Sequence, residues 1–312
     1  MGALNIDAVL RLRLLPVSGL KVVFRDLTGA EDQLLLETPD INIALALALL
    51  SHTAQLADKE TPDAGVRSDW SKLSITDLDI LILRLRQMVL GNDIRADIPC
   101  GTAECGQRID ISFGIDEYIA YHAPVSARGN NREWNVEPAE EPGWFRLLNG
   151  RTTNKTDAGE EISGNPIPGR LVASLDEDSE QKDDIFFRIP TAADQLAVAG
   201  LPDAAEALAQ RCIRPAALAV EKRLQVEAAM EWMAPSLSND LLGVCPVCDA
   251  EVTVYFDVRH YCLHELKEHA AFIYEDIDIL ARRYHWAEAD ILALPRNRRA
   301  IYAELARREG DQ

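Results

Sequence analysis

Cys105-Gly-Gln-Arg-Ile109-Asp-Ile111-Ser-Phe113-Gly-Ile115-Asp-Glu-Tyr118 lies without a gap on Cys248-Asp-Ala-Glu-Val252-Thr-Val254-Tyr-Phe256-Asp-Val258-Arg-His-Tyr261. Every aligned pair differs by 143 in number. Cysteine meets cysteine, tyrosine meets tyrosine, and the apolar residues of the two copies fall on the same alternate positions. Alternation with period two is the signature of a strand with one buried face. Each copy therefore reads as a cysteine knuckle, a half-buried strand and a helix start, and the chain as an internal duplication.

A second thiol precedes each copy, giving Cys100-Gly-Thr-Ala-Glu-Cys105 and Cys245-Pro-Val-Cys248. The C-x-x-C spacing lets two sulfurs reach one tetrahedral ion at about 2.3 Å, and C-x-x-x-x-C is wider but compatible. Cys100, Cys105, Cys245 and Cys248 together make the ligand set of a closed structural zinc site with no position left for water. Such a site would join turns 140 residues apart and staple the two halves of the chain. Reduced metal-free thiols, separate sites and disulfides stay open as alternatives. Six cysteines in 312 residues are too few for a disulfide scaffold.

Working outward, Leu20–Leu27 reads as a strand running into a turn at Thr28-Gly29, and Ile41–Ala54 as a helix. Thr76-Asp77-Leu78-Asp79 carries a capping-box pattern for a second helix, closed by Gly91. Ile94–Ile98 enters a strand, and Ile185–Pro190 is a strand that hands over to a helix capped at Thr191-Ala192-Ala193-Asp194. Residues 123–184 are polar, rich in Gly, Asn, Pro and Glu, and read as a partly β insertion. The expected organisation is an α+β part over 1–122 with the first knuckle, the insertion over 123–184, and a helical part over 185–312 with the second knuckle. The fold class is α+β: zinc-ribbon-like knuckles, short strands, helical segments, an irregular β insertion and a C-terminal helical hairpin.

Composition limits the partners. Acidic residues outnumber basic ones by 51 to 32, and a net charge of -19 is repelled by nucleic-acid phosphates and anionic lipid. Met1–Asp7 lacks the basic and apolar regions of a secretory signal, and Ile6 stands where a myristoylation signal has Ser or Thr. The most apolar stretch, Ile41–Leu50, is half the length of about 20 residues that a membrane span needs. The expectation is a cytoplasmic chain with no membrane contact.

Catalytic patterns are missing. His264-Glu265-Leu-Lys-Glu-His269 is one residue too long for a metalloprotease helix, since a five-residue step at about 100° per residue separates the two imidazoles. No nucleophile elbow, phosphate loop or dinucleotide fingerprint occurs, so no enzymatic activity is expected. The final segment carries a different signal. Leu263, Leu266, Ala270, Ile273, Ile277, Leu280 and Tyr284 step by three and four, the seam of one long helix. That seam can pack inside the chain, or dock on a partner or a second copy. Aromatic, aliphatic and arginine residues then crowd together, and interfaces concentrate such residues. Leu263, Ile277, Tyr284, Trp286, Ile291, Leu292, Arg298, Arg299 and Tyr302 are the expected partner-binding set.

The C-terminal string Tyr284-His285-Trp286-Ala-Glu-Ala-Asp290-Ile291-Leu292-Ala-Leu294-Pro295-Arg296-Asn-Arg298-Arg299-Ala-Ile-Tyr302 resembles the tail of the baseplate hub assembly proteins of contractile-tailed T-even phages, whose relatives occur in phage-like contractile injection systems. Thr76–Asp79, Leu90-Gly91-Asn92-Asp93, the cysteine knuckles and Arg188–Asp194 look like the larger members of that group. The resemblance is strongest over 75–122 and 185–305. It implies a non-enzymatic assembly factor or structural component of a baseplate hub, with hub, spike or other tail subunits as partners, incorporated in the particle or acting before it is finished. The alternative is a zinc-stapled regulatory or nucleic-acid-associated adaptor module.

Overall fold

The computed structural model describes residues 12–57, 68–102, 104–124, 136–148 and 184–310. In chain order, β1 (Leu12–Leu14) and β2 (Lys21–Phe24) form a hairpin, followed by α1 (Gly29–Glu37) and α2 (Ile43–Thr53). β3 (Ala54–Leu56) returns to pair with β2, giving an antiparallel sheet in the order β1-β2-β3. A 3-10 turn at Trp70–Lys72 leads into α3 (Ile75–Leu90), and β4 (Asp93–Pro99), β5 (Arg108–Gly114) and α4 (Ile115–Tyr121) complete the first knuckle module. β6 (Val136–Pro138), β7 (Phe145–Leu147), β8 (Ile185–Phe187) and β9 (Ile213–Arg214) build a second antiparallel sheet, with α5 (Ala192–Val198) and α6 (Ala204–Cys212) between its last two strands. After α7 (Val220–Met233) come β10 (Asn239–Val244), β11 (Glu251–Phe256) and α8 (Val258–Ala270), the second knuckle module. The chain closes with α9 (Ile273–Tyr284), α10 (Glu288–Ala293) and α11 (Arg296–Gly310).

The duplication read from the sequence is a duplication of structure. Each copy runs helix, antiparallel hairpin, helix: α3, β4-β5, α4 in the first and α7, β10-β11, α8 in the second. Helix α3 is the centre of the main core. Leu78, Leu81, Ile82 and Leu85 are fully buried on it, and Leu263 and Leu266 of α8 belong to the same cluster. Its N-terminus is capped two residues earlier than the sequence suggests. Ser74 Oγ accepts the Asp77 N–H at 3.1 Å, while Thr76 sits inside the first turn and donates to Pro235 O at 2.9 Å. Gly91 (φ 88°) ends the helix in the left-handed region.

The described residues form two main core clusters. The main core takes side chains from Leu15 to Tyr118, from Ala192, and again from Leu237 to Ala270, so both hairpins share one interior. Leu147 of the insertion joins Ile185, Phe187, Ile213, Val226 and Ala229 in a separate core. The insertion strands therefore belong with 185–233, because their pleat buries its apolar face against α7. Trp134, Arg170–Ser174 and the acidic run at 176–180 lie outside the described residues.

Two further expectations are corrected. Thr28-Gly29 is the start of α1, where Thr28 and Glu31 form a capping box. The seam beyond Leu263 is broken at Ala271-Phe272 into α8 and α9. The Ala271 N–H reaches Glu268 O at 3.2 Å, tightening the last turn of α8. The break lets the two halves of one seam serve two cores: Leu263, Leu266 and Ala270 in the main one, Leu280 with Ile291, Ala303 and Ala306 in the tail.

Candidate metal centre

The knuckles meet. Cys100 Sγ lies 3.7 Å from Cys248 Sγ, Cys105 Sγ lies 3.8 Å from Cys245 Sγ, and all four sulfurs fall within 4.8 Å of one another. A tetrahedron with metal–sulfur bonds of about 2.3 Å has edges of about 3.8 Å. A disulfide needs about 2.05 Å, and all four are free thiols. The four cysteines can hold one metal ion.

The backbone explains the fit. Cys100 N–H bonds to Gln107 O at 2.8 Å and Cys245 N–H to Ala250 O at 2.9 Å, so both hairpins close on the same bond. The two extra residues of the first knuckle are absorbed between its cysteines, where Cys105 N–H turns back to Thr102 O at 3.0 Å. After the second cysteine each turn needs a left-handed residue: Gly106 (φ 60°) in one copy and Asp249 (φ 56°) in the other. The N–H groups of Val247 and Cys248 point at the Cys245 sulfur and bring its thiol down to about 7. The Gln107 N–H pulls on Cys105 in the same sense, but desolvation and the three neighbouring sulfurs push it up to about 12. Four sulfurs crowding one point cannot share negative charge unless a cation sits between them.

The site lies on a pseudo-two-fold axis. Each close sulfur pair takes the first cysteine of one knuckle and the second of the other. Phe113 and Phe256, equivalent in the two copies, meet edge-on with ring centroids 5.4 Å apart. Tyr118 donates to Leu237 O at 2.5 Å, and Tyr261 donates to Arg95 O at 2.8 Å. Each aligned tyrosine thus ties its helix to the start of the other copy's hairpin. Cys212 and Cys262 are buried away from the cluster, and burial pushes the Cys212 thiol up to about 11.

A second repeat escaped the sequence reading. Arg25-Asp-Leu-Thr28-Gly-Ala-Glu31 and Arg188-Ile-Pro-Thr191-Ala-Ala-Asp194 follow their strands at an offset of 163. In both, the arginine holds the buried acid of a capping box. Burial alone would raise Asp194, but hydrogen bonds from Arg188 and Thr191 hold it well below the usual carboxylate range. Each corner receives the start of a distant helix. Thr191 bridges Ser74, with Ile75 N–H on Pro190 O at 3.3 Å; Thr28 bridges Pro295, with Arg296 N–H on Leu27 O at 2.8 Å. The R-x-x-T-x-x-[DE] spacing was the available signal.

The expected partner-binding set is partly taken up by the fold itself. Leu263, Ile291 and Arg299 are buried; Ile277, Tyr284, Trp286, Leu292 and Tyr302 are half-buried; Arg298 is exposed. Trp286 stacks on Tyr284 with centroids 5.0 Å apart and meets Tyr302 edge-on at 5.2 Å, so these rings pack on one another. The arginines are engaged as well: Arg296 and Arg299 pair with Asp32, Arg307 with Asp276, and Arg308 with Glu304. The reason is the first corner, which takes up the tail as its own ligand. Among the described residues, no helix is long and apolar enough to cross a membrane. Comparison with protein-family models, curated proteins and solved structures finds no match for this chain.

Proposed function

We propose that this chain is a non-enzymatic assembly factor or structural component of the baseplate hub of a contractile tail or contractile injection system, stapled by one zinc ion. The observation that carries the role is the resemblance of the string Tyr284–Tyr302, together with the knuckles and Arg188–Asp194, to the hub assembly proteins. Those stretches are also the ones that make the long-range ties of the fold: the tail docks at Thr28, the second corner at Ser74, and the knuckles on each other. A protein whose shared residues build a scaffold fits a role in positioning other subunits.

Zinc is the metal of choice for four thiolates in tetrahedral array, because it is soft enough for sulfur and redox-inert. Cys100, Cys105, Cys245 and Cys248 would fill its coordination, leaving no position for a substrate. Particles purified from cells producing the whole cluster of tail genes, analysed by mass spectrometry, test the role. Recovery of this chain in the particle supports a component; loss of particles on its deletion, with the chain absent from them, supports an assembly factor. Normal particles without it refute both.

A further inference from the structure

The two hairpins are copies, so each serves as a control for the other. In an antiparallel pair, alternate residues send N–H and C=O away from the partner strand. The Cys100–Gln107 bond sets that phase on β4, so Arg95, Asp97 and Pro99 face the outer edge. That edge is obstructed at each of the three. Tyr261 caps Arg95 O at 2.8 Å, Arg108 Nη2 caps Asp97 O at 3.0 Å, and Pro99 has no N–H. The Cys245–Ala250 bond sets the same phase on β10, and the equivalent residues are Asp240, Leu242 and Val244. Among the described residues, β10 pairs with β11 alone, and no hydrogen bond reaches the outward main-chain groups of these three.

The side chains differ in the same direction. Leu242, Val244 and Tyr255 on the outer face are 83%, 59% and 64% exposed, and Val247 at the knuckle tip is 64% exposed. The first copy has Asp97, Pro99 and Ser112 at the positions of Leu242, Val244 and Tyr255. Charged residues and proline are how proteins keep a sheet edge from pairing. One copy has that protection along the edge; the other keeps a charge at Asp240, in the place of Arg95, and has lost the protection at Leu242 and Val244.

We propose that the outer edge of β10 is a strand-acceptor site for an extended segment of a different protein chain, apolar at alternate positions and basic beside them. The unpaired N–H and C=O groups of Asp240, Leu242 and Val244 call for a strand. Leu242, Val244 and Tyr255 call for apolar side chains on its outer face. Asp240, Asp249 and Glu251 flank the patch, and the chain carries -19 overall, so the complement is cationic. A second copy would bring the same charge and is disfavoured. This inference does not depend on the partner being a tail subunit.

The test uses the full, metal-loaded chain and two labelled hexapeptides, (Lys-Val)3 and (Glu-Val)3. Fluorescence anisotropy should show (Lys-Val)3 binding at least tenfold more tightly, with slowed amide exchange at Leu242 and Val244. Leu242→Asp with Val244→Pro writes the first copy's residues into the second, and the Val244 N–H is outside the ladder, so metal content should be unchanged. Binding should weaken at least tenfold even though the variant is more acidic, which separates edge pairing from general charge attraction. If the double variant loses its metal, Tyr255→Ser serves instead, with a loss of about threefold. Absence of (Lys-Val)3 binding, equal binding of both peptides, or binding untouched by these substitutions overturns the proposal. Sedimentation showing wild-type dimers that the double variant dissociates also overturns it, by making a second copy the occupant.

Discussion

Removing the metal should cost more than any single contact in the chain. The shared site ties Cys105 to Cys245 and so closes a loop of 140 residues. Cross-linking a loop of that length removes unfolded-state entropy worth about 5 kcal/mol. That is an upper figure, because one knuckle of the unfolded chain still binds metal. Total stabilities run at about 5–15 kcal/mol, so the staple is a large share. At about 2.1 cal/mol/K of unfolding entropy per residue, each kcal/mol moves the midpoint of this chain by roughly 1.5 °C, which predicts a fall of up to about 8 °C. Calorimetry of the zinc-saturated chain freed of excess metal, then after chelation with the released metal titrated colorimetrically, measures both quantities together. Cys245→Ser with Cys248→Ser should reproduce the chelated state. Two separate sites would release two equivalents and close loops of only a few residues, with little effect on the midpoint. Stoichiometric removal with a shift below about 2 °C, or full metal content in the double variant, refutes the shared staple.

Burial pushes Asp79 up to about 7 against the pull of Arg259, whose Nε lies 2.9 Å away without hydrogen-bond geometry. An unfolded aspartate ionises near 3.9, so between about pH 4 and the folded value the folded chain binds the extra proton. Stability should therefore fall as pH rises through that window, and Asp79→Asn should flatten the slope in urea unfolding. Asp249 holds a left-handed φ of 56° that costs an L-residue roughly 1–2 kcal/mol, offset in part by the aspartate side chain; Asp249→Gly should raise stability by up to about 1 kcal/mol with the metal retained. Asp32 is fully buried between Arg296 and Arg299, and Asp32→Ala should cost roughly 3–5 kcal/mol and open the tail beyond Tyr284 to trypsin. A methyl group at Gly29 would stand 2.9 Å from Leu292 Cα, so Gly29→Ala should loosen the same corner by roughly 1–3 kcal/mol, read in the same digestion.

What was legible in the sequence was what is periodic. The knuckle strands show themselves because apolar residues alternate beside a cysteine, and the capping box at Thr191 because four residues suffice to write it. The break at Ala271 is invisible in the same reading. The three-and-four spacing runs across it undisturbed, although its two halves face different cores. Thr28 reads as a turn in the sequence because Gly29 follows it, whereas Gly29 is required there by the approach of Leu292, a residue 263 positions away. The arginines of the tail look like an interface in composition, and only long-range pairing with Asp32 and Asp276 shows that the chain neutralises Arg296, Arg299 and Arg307 itself.

The pattern of difference between the two copies has a physical cause. Residues near the pseudo-axis face their own equivalents, so a change in one copy is felt at once in the other. The cysteines, Phe113 with Phe256, and Tyr118 with Tyr261 are of this kind, and both copies hold the same residue types. Residues on the outer hairpin faces meet no counterpart, and nothing in the fold ties Asp97 to Leu242, Pro99 to Val244 or Ser112 to Tyr255. A symmetric device would then have two equal edges and bind two partners, or none. A metal held by the four cysteines would fix the copies in one frame while their outer faces diverge. On the strand-acceptor proposal, the copy whose edge is obstructed secures the frame, and the copy whose edge is open meets another chain.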